Sequence, residues 1–201
     1  MPFSNERCVL GLPALGPLAA LLTAATDIDF IPNLPQLIGV GCEAAGAGST
    51  LFHYVQGIGV LLTLPIRELK GASRMVTSIA IDPDLNVYAI GYSGQAWGEN
   101  LFTVNAGTGL VTDIGPLWGD QTEATSIAFD PDGSTLYGIN RVDNQGSGDT
   151  LFKINRSTGK TTDIGPLTGS RTRAVTLRFA PMALSTALAA ITTTASAACF
   201  S

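Results

Sequence analysis

Histidine is nearly absent from this 201-residue chain, where His53 stands alone. A His-based zinc site or a Ser-His-Asp relay therefore has almost no raw material. Cysteine is scarce as well, and Cys8, Cys42 and Cys199 share no metal-binding spacing. They read as small apolar residues, with a Cys8–Cys199 bridge as the alternative if the chain ends meet. Charged residues make up only 13% of the chain, and 11 Lys and Arg against 16 Asp and Glu leave a net charge of −5. That balance argues against a nucleic-acid partner. Long unbroken apolar runs are missing too. The most apolar stretch, residues 8–25, is interrupted by Pro13 and Pro17, which makes it a poor membrane span. With Glu6 beside Arg7 it also makes a poor secretory leader.

What the chain does have is apolar bulk and turn-makers: 45% hydrophobic residues, 23 Gly and 11 Pro. It can bury a core, and its length allows one domain, at most two small ones. Internal repetition then decides the fold class. Residues 77–117 and 125–167 are two copies of one unit, each opening on Thr-Ser-Ile-Ala and closing on Asp-Ile-Gly-Pro-Leu. A worn copy covers about residues 26–66. The pairs Leu51-Phe52, Leu101-Phe102 and Leu151-Phe152 recur every 50 residues, as do Gly59, Gly109 and Gly159. Leu15-Gly16-Pro17-Leu18 repeats the closing motif, and the segment from Val175 to Pro181 repeats the opening one.

Each unit divides into four strand-like runs, A to D, separated by turn chemistry. In the third unit, A is 125–129, B is 135–140, C is 150–155 and D starts at 160 and runs to about 164. Asp130-Pro131-Asp132-Gly133 turns A into B, and Arg156-Ser157-Thr158-Gly159 turns C into D. Pro166 then ends D, because it offers no ladder donor. Four consecutive antiparallel strands in about 50 residues predict an all-β fold, a β-propeller of four-stranded antiparallel blades. The chain starts near strand C of one unit and stops after strand B of another. Segments 3–18 and 175–191 thus add up to one composite blade, and a single domain over 1–201 closes as a four-bladed ring. A closed ring predicts a monomer; the alternatives are a half-ring completed as a homodimer and a fragment of a longer chain.

The motifs Phe129-Asp130-Pro131-Asp132-Gly133, Leu136-Tyr137-Gly138-Ile139, Leu151-Phe152 with Thr158-Gly159, and Ile164-Gly165-Pro166-Leu167 resemble the repeats of uncharacterised, often secreted, bacterial β-propeller proteins. The resemblance implies a propeller fold and an extracellular or periplasmic setting. It carries no catalytic residues to transfer.

Function is expected on one face. The A–B and C–D turns are tight, whereas the B–C segments 40–48, 91–98 and 140–148 are long and the D–A segments 118–124 and 168–174 are intermediate. B–C and D–A connections emerge at the same end of an up-down blade, and variable loops on a rigid frame are where binding concentrates. The candidate ligand residues there are Tyr92, Gln95, Trp97, Glu99, Trp118, Asp120, Glu123, Arg141, Asp143, Asn144, Arg171 and Arg173. Aromatic rings beside carboxylates and amides suit stacking on a sugar or anchoring a protein; the structural alternative packs Trp97 and Trp118 between blades. A non-enzymatic binding or scaffold module is the expectation. The alternatives are a small hydrolase or lyase with a metal at the channel mouth, drawing on Glu99, Asp120, Glu123 and Asp143, and a structural repeat without ligand.

No cofactor is expected: Gly46-Ala47-Gly48-Ser49-Thr50 lacks the Gly-Lys-Ser/Thr of a phosphate loop. The pairs Asp82/Asp84 and Asp130/Asp132 supply too few oxygens for calcium and read as turn-capping carboxylates. Asn155-Arg156-Ser157 matches a glycosylation sequon, but a C–D turn accounts for it. Asp27 and Asp29 are expected to face outward from their strand.

Overall fold

The computed structural model describes residues 25–31, 34, 36–42, 49–55, 58–66, 75–92, 99–140, 149–167 and 177. They form thirteen strands and, among the described residues, no helix. The strands are β1 (Ala25–Phe30), β2 (Gln36–Cys42), β3 (Ser49–Val55), β4 (Gly59–Pro65), β5 (Met75–Ile81), β6 (Val87–Tyr92), β7 (Asn100–Val104), β8 (Val111–Pro116), β9 (Trp118–Gly119), β10 (Ser126–Phe129), β11 (Leu136–Asn140), β12 (Thr150–Ile154) and β13 (Lys160–Pro166). They pair in the orders β1-β2-β3-β4, β5-β6-β7-β8 and β10-β11-β12-β13-β9. Within each unit, successive strands pair antiparallel. The fold is thus all-β, built from the four-stranded antiparallel blades of a β-propeller. The expected strands A to D of the third unit match β10 to β13 to within two residues.

Burial explains why the Leu-Phe pair recurs. Neighbouring residues of a strand point to opposite faces, so each pair supplies one large side chain to each face of its blade. Phe52, Phe102 and Phe152 are all fully buried. Gly39 and Gly138 lie opposite Phe52 and Phe152 in the ladder, and a Cβ at either glycine would overlap the phenyl ring. The rings therefore fill space that the second strand leaves open.

Apolar faces hold the blades together. One cluster joins Ile31, Ile38, Val40 and Leu51 of the first blade to Ile81, Val87, Val104 and Val111 of the second. Another joins Ile90, Leu101 and Leu117 to Ile127, Phe129, Leu136 and Ile154 of the third. Across that second seam the Tyr88 and Phe129 rings meet edge to face at 5.3 Å. Each such side chain contributes roughly 1.5–3 kcal/mol when fully buried.

Polar side chains stitch the same seams. Ile79 N donates to Asp27 Oδ2 (2.9 Å), and Ile81 N donates to Asp29 Oδ2 (2.8 Å). Ser78 Oγ donates to Asp27 Oδ2 (2.6 Å) and accepts from Ile127 N (3.1 Å). Ser126 Oγ accepts from Leu177 N (3.1 Å) in turn. Asp27 and Asp29 are therefore not outward-facing ornaments, as expected from their alternation. They satisfy backbone donors on the inner edge of the next blade, which has no neighbouring strand to do so.

The turns follow their chemistry. Asp82 and Asp130 accept from Asn86 N (2.8 Å) and Thr135 N (3.0 Å), closing the A–B turns. Asn155 Oδ1 accepts from Ser157 N (2.9 Å) in the C–D turn, as Asn105 Oδ1 does from Gly107 N. One difference from expectation lies in the D–A connection: Trp118 and Gly119 form β9, parallel to β13. This short strand covers part of an outer edge that would otherwise expose unpaired backbone groups. The composite blade of 3–18 and 175–191 lies outside the described residues, Leu177 excepted, as do Cys8 and Cys199.

Candidate functional site

Three chain segments converge on Glu99, which directly precedes β7. Leu117 N donates to Glu99 O (2.9 Å), and Glu99 N donates to Thr122 O (3.4 Å). The side chain turns inward, where Oε2 accepts from Ala124 N (2.6 Å) and Oε1 from Thr77 Oγ1 (3.0 Å). Glu99 is only 2% exposed. It thus anchors the end of the second B–C segment and both ends of the D–A connector that follows.

Position 99 belongs to a series. Ser49, Glu99 and Asp149 recur at a 50-residue step at the start of strand C, Ser49 as its first residue and the other two directly before it, and all are buried. Their carbonyls accept from Ile66, Leu117 and Leu167, respectively. The Ser49 hydroxyl also accepts from Val76 N (2.9 Å), as the Glu99 carboxylate does from Ala124 N. In the first two blades this buried polar side chain is thus a strap to the next blade. The 50-residue recurrence of a polar residue at Ser49, Glu99 and Asp149 is the sequence signal for these positions, although nothing in their differing side chains announces a strap.

A carboxylate in that position is electrostatically costly. Burial pushes the Glu99 carboxyl up to about 7, despite the stabilising bonds from Ala124 N and Thr77 Oγ1, and the Glu123 charge adds to the rise. The Tyr92 hydroxyl is raised as well, first by burial and then by Glu99 and Glu123. Tyr92, Glu99 and Glu123 therefore form one electrostatic group at the loop end of the second and third blades. Tyr92 remains 41% exposed, and Glu123 is exposed too.

Trp118 and Asp120 lie elsewhere, along the rim of the third blade. Trp118 Nε1 donates to Thr158 O (2.9 Å), and the Lys160 ammonium sits 5.3 Å from the indole centroid. Asp120 Oδ2 accepts from Asp163 N (2.9 Å). Gln121, absent from the sequence-based candidates, donates to Asp163 and accepts from Asn140 Nδ2. Trp118 is 48% exposed: its indole lies on the edge of β13 and is not sealed between blades. Gln95, Trp97, Arg141, Asp143, Asn144, Arg171 and Arg173 lie outside the described residues. Among the described residues, no group of three His, Cys, Asp or Glu is placed to hold a metal ion.

No protein-family model matches the chain, and no curated protein matches it. Among solved structures it is similar to a protein assigned as TolB from Agrobacterium tumefaciens, at 13% identity over 72% of this chain and 46% of that one, with a TM-score of 0.44. It is also similar to hydrazine synthase of Kuenenia stuttgartiensis, at 12% identity over 83% and 53%, with a TM-score of 0.41. A GH43 β-1,3-galactosidase with galactodeoxynojirimycin matches at 11% identity over 69% and 56%, with a TM-score of 0.42. The chain spans about half the length of these structures. The fold assignment rests on the strand order and register described above.

Proposed function

We propose that this chain is a non-enzymatic binding module that presents a carbohydrate-binding surface on its B–C and D–A loop end. The convergence at Glu99 carries this reading. One buried residue ties together the B–C segment of the second blade and the D–A connector beyond it, so the two emerge side by side from a rigid base. An exposed tyrosine and an exposed carboxylate stand at that point, a pairing that suits stacking on a sugar ring with hydrogen bonding to its hydroxyls. Residues 93–98, with Gln95 and Trp97, extend the same surface in this proposal, as do Arg141, Asp143, Asn144, Arg171 and Arg173 from the neighbouring loops. The scaffold beneath is the row of blades, and the bond from Leu177 N to Ser126 Oγ supports its continuation past the third in this reading.

The channel-mouth hydrolase or lyase fares less well, because its acids have other duties. Glu99 is committed to Ala124 N and Thr77 Oγ1, and Asp120 to Asp163 N.

A glycan array probed with the intact chain, and with Tyr92→Ala and Trp97→Ala, tests the proposal. A glycan signal lost in both variants, with folding unchanged, is the expected result. No glycan signal, together with specific capture of a protein abolished by the same substitutions, would replace the carbohydrate with a protein partner. Indifference of every ligand to both substitutions would remove the loop end from consideration.

A further inference from the structure

The third blade carries a second feature, at its turn end rather than its loop end. A shallow, open cavity of about 520 Å³ lies there between the A–B and C–D turns, with the exposed Lys153, Arg156 and Lys160 in its lining beside Thr135, Ser157 and Thr162. Three cations and a set of hydroxyls share one concavity, and no carboxylate lines it. This is unusual ground in a chain with only 11 basic residues and a net charge of −5.

The repeat shows that the fold does not require these cations. Lys153 faces Tyr137 in the ladder, just as Thr103 faces Tyr88 in the second blade. Asn155 N donates to Lys160 O and Asn105 N to Leu110 O in equivalent C–D turns. Arg156 correspondingly stands where Ala106 does. The same backbone is therefore built once with Thr, Ala and Leu and once with Lys, Arg and Lys. Asp82 pairs with Arg156 at 3.6 Å and offsets part of its charge, so Lys153 and Lys160 are the principal cations of the site, while Asp130 and Asp132 cap the A–B turn through Thr135 N and Ser134 N. Lys160 is further positioned against Trp118.

We infer that this cavity binds a small polyhydroxylated ligand carrying a phosphate or sulfate ester, such as a modified sugar. Cations flanking a common space recognise an oxyanion by charge-assisted hydrogen bonds. The hydroxyls suit the uncharged remainder of such a ligand. The volume falls in the range that small-molecule sites occupy, roughly 300–1,000 Å³, and exceeds what a bare anion fills. The site is separate from the loop-end surface proposed above and does not depend on it.

The test uses glucose 6-phosphate, glucose 6-sulfate, glucose and inorganic phosphate as probes, titrated by calorimetry at low and at high salt. The intact chain is compared with a Lys153→Thr/Lys160→Leu double variant. These substitutions install the second blade's own residues, so the melting temperature should hold, and Arg156 keeps its partner Asp82. At least one ester should bind and glucose should not, with affinity falling as salt rises. The double variant should lose about tenfold or more, whereas Tyr92→Ala should change nothing. The preferred ester identifies the anion. Equal affinity of parent and double variant, or no saturable binding of either ester at low salt, would overturn the inference. Inorganic phosphate binding as tightly as the sugar esters would overturn the sugar component.

Discussion

Glu99 provides the sharpest test of how this frame holds together. Its carboxyl is raised from 4.5 to about 7, chiefly because burial penalises the charge. A carboxyl whose folded value lies above its unfolded one binds protons more readily when folded, so the linked stability is fully present below about pH 4.5. It is lost as pH rises towards and through about 7. Between pH 5.5 and 8.0 the linkage relation makes this loss about 2 kcal/mol for one group shifted by that amount. Urea denaturation of the intact chain and of Glu99→Gln at both pH values isolates the effect from the other acids. Glutamine retains an acceptor for Ala124 N or Thr77 Oγ1 and has no charge to desolvate. The intact chain should lose about 2 kcal/mol more than the variant on going from pH 5.5 to 8.0. Identical slopes, or a steeper loss in the variant, would refute the claim that burial dominates at Glu99.

Two other substitutions probe the seams and the turns. Ser78→Ala removes the hydroxyl that bridges Asp27 and Ile127, leaving a buried N–H unsatisfied at a cost of about 1–3 kcal/mol; unchanged urea midpoints would show that the bridge contributes nothing. Leu85 has φ 66° and is 52% exposed, whereas Gly133, at the corresponding place in the next A–B turn, has φ 71°. Leucine is strained there by about 1–2 kcal/mol, while glycine loses some of that gain to the unfolded chain. Leu85→Gly should therefore raise stability by up to about 1 kcal/mol in thermal melts, and a clear fall would contradict the strain.

Much of the frame was legible because one pattern recurs along the chain. The Leu-Phe step, present in all three units, marks strand C, and the Asp-Pro turn and the closing Ile-Gly-Pro-Leu, present in two, mark strand ends by local chemistry, which survives without tertiary information. The role of Asp27 was not legible. Alternation assigns it a side of its own strand, but says nothing about the donors of β5 waiting on the neighbouring blade. The partners of Trp118 were not legible for a similar reason: it lies in a connector between repeats, and Thr158 and Lys160 are about 40 residues away.

Sequence alone, then, determined the all-β class, the four strands per unit and their approximate bounds, because period-two burial and turn preference act over a few residues. Tertiary structure alone decided which polar residues are straps and which face solvent. It buried Glu99, left Tyr92 open, and drew Lys153, Arg156 and Lys160 around one cavity. Those outcomes depend on which blade lies alongside which, since hydrogen bonding and desolvation are properties of neighbours in space rather than neighbours in the chain.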